Sequence, residues 1–509
     1  MPFTAAQAQT SAGSGSDMHP WIKASSDPQG LIARIGLYGY KLPREFRDRL
    51  EYAGADGTLQ VMVSLTQRNE AIEDTIRRNT TWLSWYGDSP RFLGRVAPDQ
   101  LRLLLEDPSV LFVEPDFPIT NFMSGSTLDV NARSANSAGT GVWTFDKSDG
   151  RLGKLRSDVA GLDVSQVTGR GVTVAVTDSG IDSTHQDFGG WDCPRAAYRP
   201  CESRIVKDVK IDHIVNAGLD GVLPLPTSEF ASGHGTHVAG TIAGNGYYSR
   251  DAASPDVARY GGDGHVFGVA PEANLISTKN GDTIWAGLSN FGLEWQARNA
   301  AAFNIRVSSN SWGCSGGCSF NGNSTLGQTF RDLYNKGVLV TFAVGNDGGG
   351  SDGGKFSGYA QSPYVLGVAA YDHKNGVLAS FSSRGGNNQL ADPATWTPES
   401  EPVNGVRRPD LAAPGVAIWS ARTLSAGVAS GAPRVNTGDV TGGAGAGFFP
   451  YASMGGTSMA TPHVAGAAAI LSSACPQAST LDRMRALKAG SNAAKVRSSA
   501  GGPLARPFE

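Results

Sequence analysis

Three stretches of the chain hold the residue types that nucleophilic chemistry needs: VAVTDSGIDSTHQDF at 174–188, SGHGTHVAGT at 232–241 and GGTSMATPHVAGAAAIL at 455–471. A serine attacks a carbonyl only when a neighbouring base takes its proton. An imidazole serves as that base when its other nitrogen is held in the right tautomer. Asp178, either His234 or His237, and Ser458 offer the carboxylate, imidazole and hydroxyl for such a relay. Each also has an ordinary reading. Asp178 precedes Ser179-Gly180 and could cap a turn, and a serine before a helix could be a simple N-cap. His234 and His237 have a zinc-like spacing, but zinc needs a further ligand and usually a glutamate, and no HEXXH pattern is present.

The surrounding pattern predicts the elements that would position these groups. Val172 to Thr177 is a β-branched run that reads as a buried strand. Asp178 would then lie at the C-terminal edge of a parallel sheet, where sites commonly gather. Small residues after His234 suit a helix packed closely beneath the site. Ser458 precedes a segment with Pro462 in its first turn and Ala467, Ala468 and Ala469 beyond, which reads as a buried helix. The serine would sit at that helix's N-terminus, where free N–H groups favour developing negative charge. It is not a GxSxG elbow, because Ala460 fills the last position.

Pro271 to Thr278, residues 285–302 and Asn304 to Ser309 predict strand, helix, strand, with further strands at Val338 to Val344 and Val365 to Ala370. This alternation predicts an α/β domain at 155–509, a largely parallel sheet with helices on both faces. Upstream, Leu59, Val61, Val63 and Leu65 alternate, and Ile72 and Ile76 lie on one helical face. Phe92 to Val96 is a second strand, Pro98 opens a helix with Leu101, Leu104 and Leu105, and Val110 to Val113 is a third strand. Residues 58–116 thus read as β-α-β-α-β within a small α+β domain at 31–120. Residues 1–30 read as a flexible tail and 121–154 as a linker.

Together and in this order, Asp, His, Ser, the three segments resemble those of the subtilisin-like serine proteases, over roughly residues 155–490. The resemblance implies that Asp178 orients His234, that His234 rather than His237 is the base, and that Ser458 is the nucleophile. TFAVGNDG (341–348) resembles the segment whose asparagine amide binds the oxyanion. That residue is Asn346, acting with the Ser458 N–H; a turn asparagine is the plain alternative. SNSWG (309–313) resembles the segment that pairs with substrate backbone as an added strand and walls the first pocket, which implies substrate contacts at Ser311, Trp312 and Gly313. Trp312 departs from the smaller aliphatic residue common there; it either reshapes subsites or simply packs. The Gly-rich stretch 347–354 would line the other side.

Asp187 matches a position that ligates calcium in many relatives. The partner loop differs, residues 244–265 being longer, and Asn245, Asp251 or Asp263 could supply oxygens. A solvated turn aspartate is the alternative, and the chemistry itself requires no cofactor. The N-terminal domain resembles the family's propeptides, ferredoxin-like β-α-β-β-α-β inhibitors and chaperones, chiefly through VLFVEPD at 110–116. Phe117 to about Gly125 would then lie in the cleft as a product-like strand; an unrelated packing domain is the alternative.

The expected function is a serine endopeptidase acting on protein or peptide substrates and kept latent by its own N-terminal domain. A persistently latent binding protein of the same fold, and an esterase or peptide ligase using the same acyl-enzyme, are the other readings. Composition narrows the partners. The chain has 509 residues, 40% hydrophobic and 17% charged, with a net charge of −3. That supports a buried core and gives no basic face for nucleic acid. No run of 18 apolar residues predicts a membrane span. The N-terminus MPFTAAQAQTSAGSGSDMHP lacks the basic and apolar regions of an ordinary secretory signal, which leaves the compartment open. Of five cysteines, Cys193/Cys201 and Cys314/Cys318 are close pairs and Cys475 is left over. Disulfides and free thiols are both open, and no metal-cluster spacing is present.

Overall fold

Proline opens the first two helices, Pro20–Lys23 (α1) and Pro28–Leu37 (α2), where its missing N–H costs nothing. Asp27 caps α2 by accepting from the Gly30 N–H at 2.9 Å. The computed structural model describes residues 18–116, 167–190, 202–210, 229, 233–249, 265–279, 285–314, 317–348, 355–386, 392–406, 409–423 and 450–490, with backbone alone for 120–121, 133–134, 143–146, 151–153 and 506–507. These fall into two compact units, residues 1–85 with 89–116, and residues 86–88 with 117–509.

The first unit begins earlier than its sequence suggests. The sequence places residues 18–30 in a flexible tail, yet Trp21 and Ile22 are buried in the unit's core, and Trp21 Nε1 donates to Gly57 O at 3.0 Å. A four-residue helix is too short to show periodicity, so composition alone misread it. The strands are Leu59–Leu65 (β1), Trp82–Trp85 (β2), Arg91–Val96 (β3) and Val110–Pro115 (β4). They are antiparallel in the order β2-β3-β1-β4. Helices Glu70–Arg78 (α3) and Pro98–Glu106 (α4) complete a β-α-β-β-α-β arrangement. The pattern reading missed β2, whose WLSW is short and only half-buried. Leu59, Val61, Val63 and Leu65 share one face of β1, as alternation dictates.

In the second unit most strands are short and buried because both faces are covered; the edge strand IVKDVK at 205–210 is largely half-exposed. The strands are Thr173–Asp178 (β6), Ile205–Lys210 (β7), Asn274–Lys279 (β8), Ile305–Asn310 (β9), Leu339–Ala343 (β11), Val365–Asp372 (β12) and Leu411–Pro414 (β14). Two-residue strands are Thr120–Asn121 (β5), Trp312–Gly313 (β10) and Val377–Leu378 (β13). The main order is β7-β8-β6-β9-β11-β12-β14, all parallel, with β13 antiparallel to the end of β12. Arg506–Pro507 extends the β14 edge. Ile418–Ala421 (β15) and Tyr451–Met454 (β16) form a separate antiparallel pair.

Helices His234–Ala243 (α5) and Thr457–Ala474 (α8) join Val174, Val176, Val307, Leu339 and Leu366 in the main core. The opposite face meets Ala286–Asn299 (α6), where Gln296 Nε2 donates to Thr177 Oγ1 and Thr278 Oγ1, both at 2.8 Å. Thr325–Asn335 (α7) packs beside α6, and Thr480–Ala489 (α9) beside α8. The α/β class and parallel alternation expected from sequence are therefore present. The stretch expected as a linker contains paired backbone: Trp143–Asp146 lies parallel to Arg133–Ser134 and antiparallel to Arg151–Gly153.

Candidate active site

Parallel register brings three strand ends together. Asp178 pairs with Lys279, Asn310 with Thr177, and Phe342 with Asn310. Asp178, Ser311 and Asn346 therefore lie at one edge, at or just past the C-terminal ends of the neighbouring strands β6, β9 and β11. Asp178 is fully buried, and its Oδ1 accepts from the Ser179 N–H and from His234 Nδ1, each at 2.7 Å. A carboxylate can only accept, so the imidazole proton is on Nδ1 and Nε2 keeps a lone pair. Asp178 Oδ2 has no donor among the described residues. The Oδ1 contact fixes the orientation and tautomer of the His234 ring.

Two glycines make this approach possible. Gly233, the residue before His234, has φ +72°, and a Cβ at Gly235 would stand 2.1 Å from Gly180 O. Ser179 adds a tie: its hydroxyl accepts from the Gly235 N–H at 2.9 Å and donates to the buried Glu229 at 2.6 Å. Glu229 escaped the sequence reading because nothing in its local pattern marks it. His237, one turn along α5, is fully buried. Its Nε2 donates to Ile418 O at 3.0 Å and Ala452 O at 3.1 Å, which ties β15 to β16. Burial drives its pKa down to about 3, with the charge of His234 a smaller cause.

Ser458 is the second residue of α8 and is fully buried. Its hydroxyl donates to Ser311 O at 2.6 Å, and the Ser311 hydroxyl donates to Ser458 O at 2.7 Å. Pro462 lies inside the helix, not in its first turn as the sequence suggests, because α8 already begins at Thr457, ahead of Ser458. Asn346 Oδ1 accepts from the Thr457 N–H at 3.0 Å and from Thr457 Oγ1 at 2.9 Å. A backbone N–H can only donate, so this end of the amide must be its oxygen. The Asn346 NH₂ is therefore the end of the amide not used on Thr457. Thr457 was not singled out beforehand; its place next to Ser458 was the available signal.

The expected substrate positions divide. The backbone of Trp312 and Gly313 pairs antiparallel with Asn121 and Thr120. The Trp312 side chain belongs to the core. It is fully buried against Phe342 and Tyr359, with ring centroids 4.6 and 5.4 Å away. Strand alternation sends it to the core and leaves only its backbone to pair. The Ser311 hydroxyl is likewise spent on Ser458. Cys314 and Cys318 form a disulfide directly after β10, and Cys318 Sγ accepts from the Gly358 N–H at 3.2 Å. Cys475 is free and exposed. Cys193 and Cys201 lie outside the described residues, as do 349–354 of the Gly-rich stretch.

Among the described residues, no group of three or more His, Cys, Asp or Glu side chains that could hold a metal surrounds Asp187. Its Oδ1 accepts from the Tyr451 hydroxyl at 3.1 Å, and it is 1% exposed rather than a solvated turn residue. Asn245 uses its side-chain oxygen on the Tyr247 N–H and its amide on Gly189 O. Burial and the Asp187 charge raise the Tyr451 phenol well above its usual range, so it stays a donor to the carboxylate. Asp251 and Asp263 lie outside the described residues. Arg204 braces the same corner by donating to Asp187 O at 2.6 Å and Ala243 O at 2.7 Å.

Comparison with known proteins places this arrangement. The subtilase family's sequence profile matches residues 169–499. Subtilisin E of Bacillus subtilis is 31% identical over 315 residues, 61% of this chain and 57% of that protein. The match thus spans little more than half of that relative's length. An alkaline protease of Alkalihalobacillus alcalophilus is 28% identical over 397 residues, 77% of this chain and 72% of the relative. Among solved structures, S41 psychrophilic protease is similar, with 26% identity and a TM-score of 0.44, covering 67% of this chain and 90% of that one. With most of its second unit inside the family profile, this chain belongs to the subtilase family.

Proposed function

We propose that the chain is a serine endopeptidase working through an acyl-enzyme on Ser458. The Asp178–His234 hydrogen bond carries this reading, because it leaves Nε2 as the basic nitrogen at the sheet edge that also holds Ser458. His234 takes the hydroxyl proton as Ser458 attacks a peptide carbonyl, and Asp178 steadies the resulting imidazolium. The Asn346 amide and the Ser458 N–H receive the oxyanion. His234 then gives the proton to the leaving amine, and water, deprotonated by the same base, releases the acyl group. The fixed Asn346 orientation supports its role, since an oxyanion donor must be aimed before charge develops. Substrate main chain would add as a strand to Trp312–Gly313. No step requires a cofactor, and none is routed through calcium.

Latency is the second part of the proposal. Residues up to about 120 act as an inhibitor-like domain, and the peptidase domain follows a linker ending near residue 154. Pairing of Thr120–Asn121 with Trp312–Gly313 supports a product-like strand lying where substrate would. The same pairing favours a second reading, a persistently latent protein whose strand never leaves. The test is Ser458→Ala beside wild type. Wild type should hydrolyse casein and cut itself between residues 116 and 130, and the variant should do neither. Proteolysis by the purified variant would end the endopeptidase reading. A wild type that reacts with a fluorophosphonate only after external removal of the N-terminal unit would favour latency without self-processing.

A further inference from the structure

We infer that Ser311 is a positioning residue that clamps the nucleophile at both of its polar ends, rather than a side chain that binds substrate. The inference rests on Ser458 being the nucleophile, as proposed above. An α-helix satisfies the carbonyl of residue i with the N–H of residue i+4. For Ser458 that partner would be residue 462, which is proline and has no N–H. The carbonyl is buried and must find another donor. The Ser311 hydroxyl supplies it at 2.7 Å, and Ser311 itself is fully buried.

The main-chain oxygen of the same residue receives the Ser458 hydroxyl at 2.6 Å. Ser311 thus holds the first turn of α8 through one bond and the resting nucleophile through the other. It lies between β9 and β10, so both bonds are anchored on the sheet. A hydroxyl has one proton to donate, and on the way to attack it must exchange Ser311 O for the imidazole. Because the Ser458 carbonyl is still tied to the Ser311 side chain, the serine backbone stays fixed while its side chain turns. The Ser458 N–H, proposed as an oxyanion donor, is held by the same clamp. Pro462 and Ser311 are therefore a matched pair: one opens the carbonyl, the other claims it.

The pair predicts a double-mutant cycle in the full-length chain, read by peptide hydrolysis, fluorophosphonate acylation and the thermal midpoint. Ser311→Ala should lower kcat and the limiting acylation rate about 10-fold and change KM less than about 2-fold, the size of one lost hydrogen bond at the reacting group. Ser311→Thr keeps a hydroxyl and should recover most of the loss. Pro462→Ala restores an N–H to the helix, so adding Ser311→Ala to it should cost under about 2-fold. An equal Ser311→Ala loss in both backgrounds overturns the proposal. So does a loss confined to KM, which would return Ser311 to substrate binding, and so does a fallen thermal midpoint with unchanged turnover of the folded protein. Wild type that fails to acylate even after its N-terminal unit is removed, like Ser458→Ala, overturns the endopeptidase reading and this inference with it. Wild type that acylates while the cycle is additive overturns this inference alone.

Discussion

Glu114 should make the first unit lose stability as pH rises. It sits on β4 opposite Met62, is 8% exposed, and its Oε2 has no donor among the described residues. Burial, reinforced by the negative charges of Glu45 and Asp116 and weakly opposed by Arg49, pushes its pKa from 4.5 up to about 8. The folded carboxyl therefore stays protonated over a range in which the unfolded one is ionised. Its contribution is fully present below pH 4.5 and is lost as pH rises towards about 8. Each pH unit in that window is worth about 1.4 kcal/mol, or about 5 kcal/mol across it. That is a large share of the stability of a small domain.

Glu114→Gln keeps the shape and removes the titration, so its slope in this window should be flatter by that amount. The assay is urea unfolding at pH 5, 6, 7 and 8 in the Ser458→Ala background, which prevents self-cleavage. Hydrogen-exchange protection of β1 and β4, pulsed at one common pH, would report this unit alone. The difference between chains with and without the Glu114→Gln substitution isolates this group from every other titration. Parallel slopes in the two chains would refute the reasoning.

Asn346→Ala should lower kcat about 100- to 1000-fold, the size known from subtilisin itself, with little change in KM. Thr457→Val, which removes one of the two bonds to Asn346 Oδ1, should cost about 2- to 10-fold in the same assay. His237 stays neutral when folded, so the second unit should lose about 1.4 kcal/mol per pH unit as pH falls from 6.5 towards about 3. His237→Gln should flatten that acid limb in a denaturant titration even if it lowers the plateau. Replacing Cys314 and Cys318 by serine reopens a five-residue ring worth about 2 kcal/mol of chain entropy, to be read as a lowered unfolding midpoint.

How much was legible follows from the range of each interaction. The strand ending at Asp178 shows as an unbroken β-branched run because a strand covered on both faces needs apolar residues throughout. The helix after Ser458 shows in its alanines, and α4 in Pro98 and three leucines. These are local signals. α1 and β2 were missed because four residues carry no period. Trp312 was ambiguous because its spacing says only that it alternates, and not what lies behind it. The aromatic cluster with Phe342 and Tyr359 comes from strands and turns far along the chain. Glu229 was invisible because its partner, Ser179, is 50 positions away.

By itself the sequence determined the chemistry on offer: a carboxylate, an imidazole and a hydroxyl in a recognisable order, a parallel α/β fold to carry them, and a second small unit ahead of it. The resemblance already implied His234 rather than His237, and the tertiary structure supplied the physical reason: the two differ by one helical turn and thus by what lies across from each. The structure alone decided which end of the Asn346 amide meets Thr457, since that depends on the Thr457 N–H. It also showed the Ser311 hydroxyl bonded to the Ser458 carbonyl and the Ser458 hydroxyl bonded to the Ser311 carbonyl, a pairing no local pattern announces. Strands and helices follow from neighbours a few residues apart. Hydrogen bonds across 56, 111 and 147 positions follow only from packing.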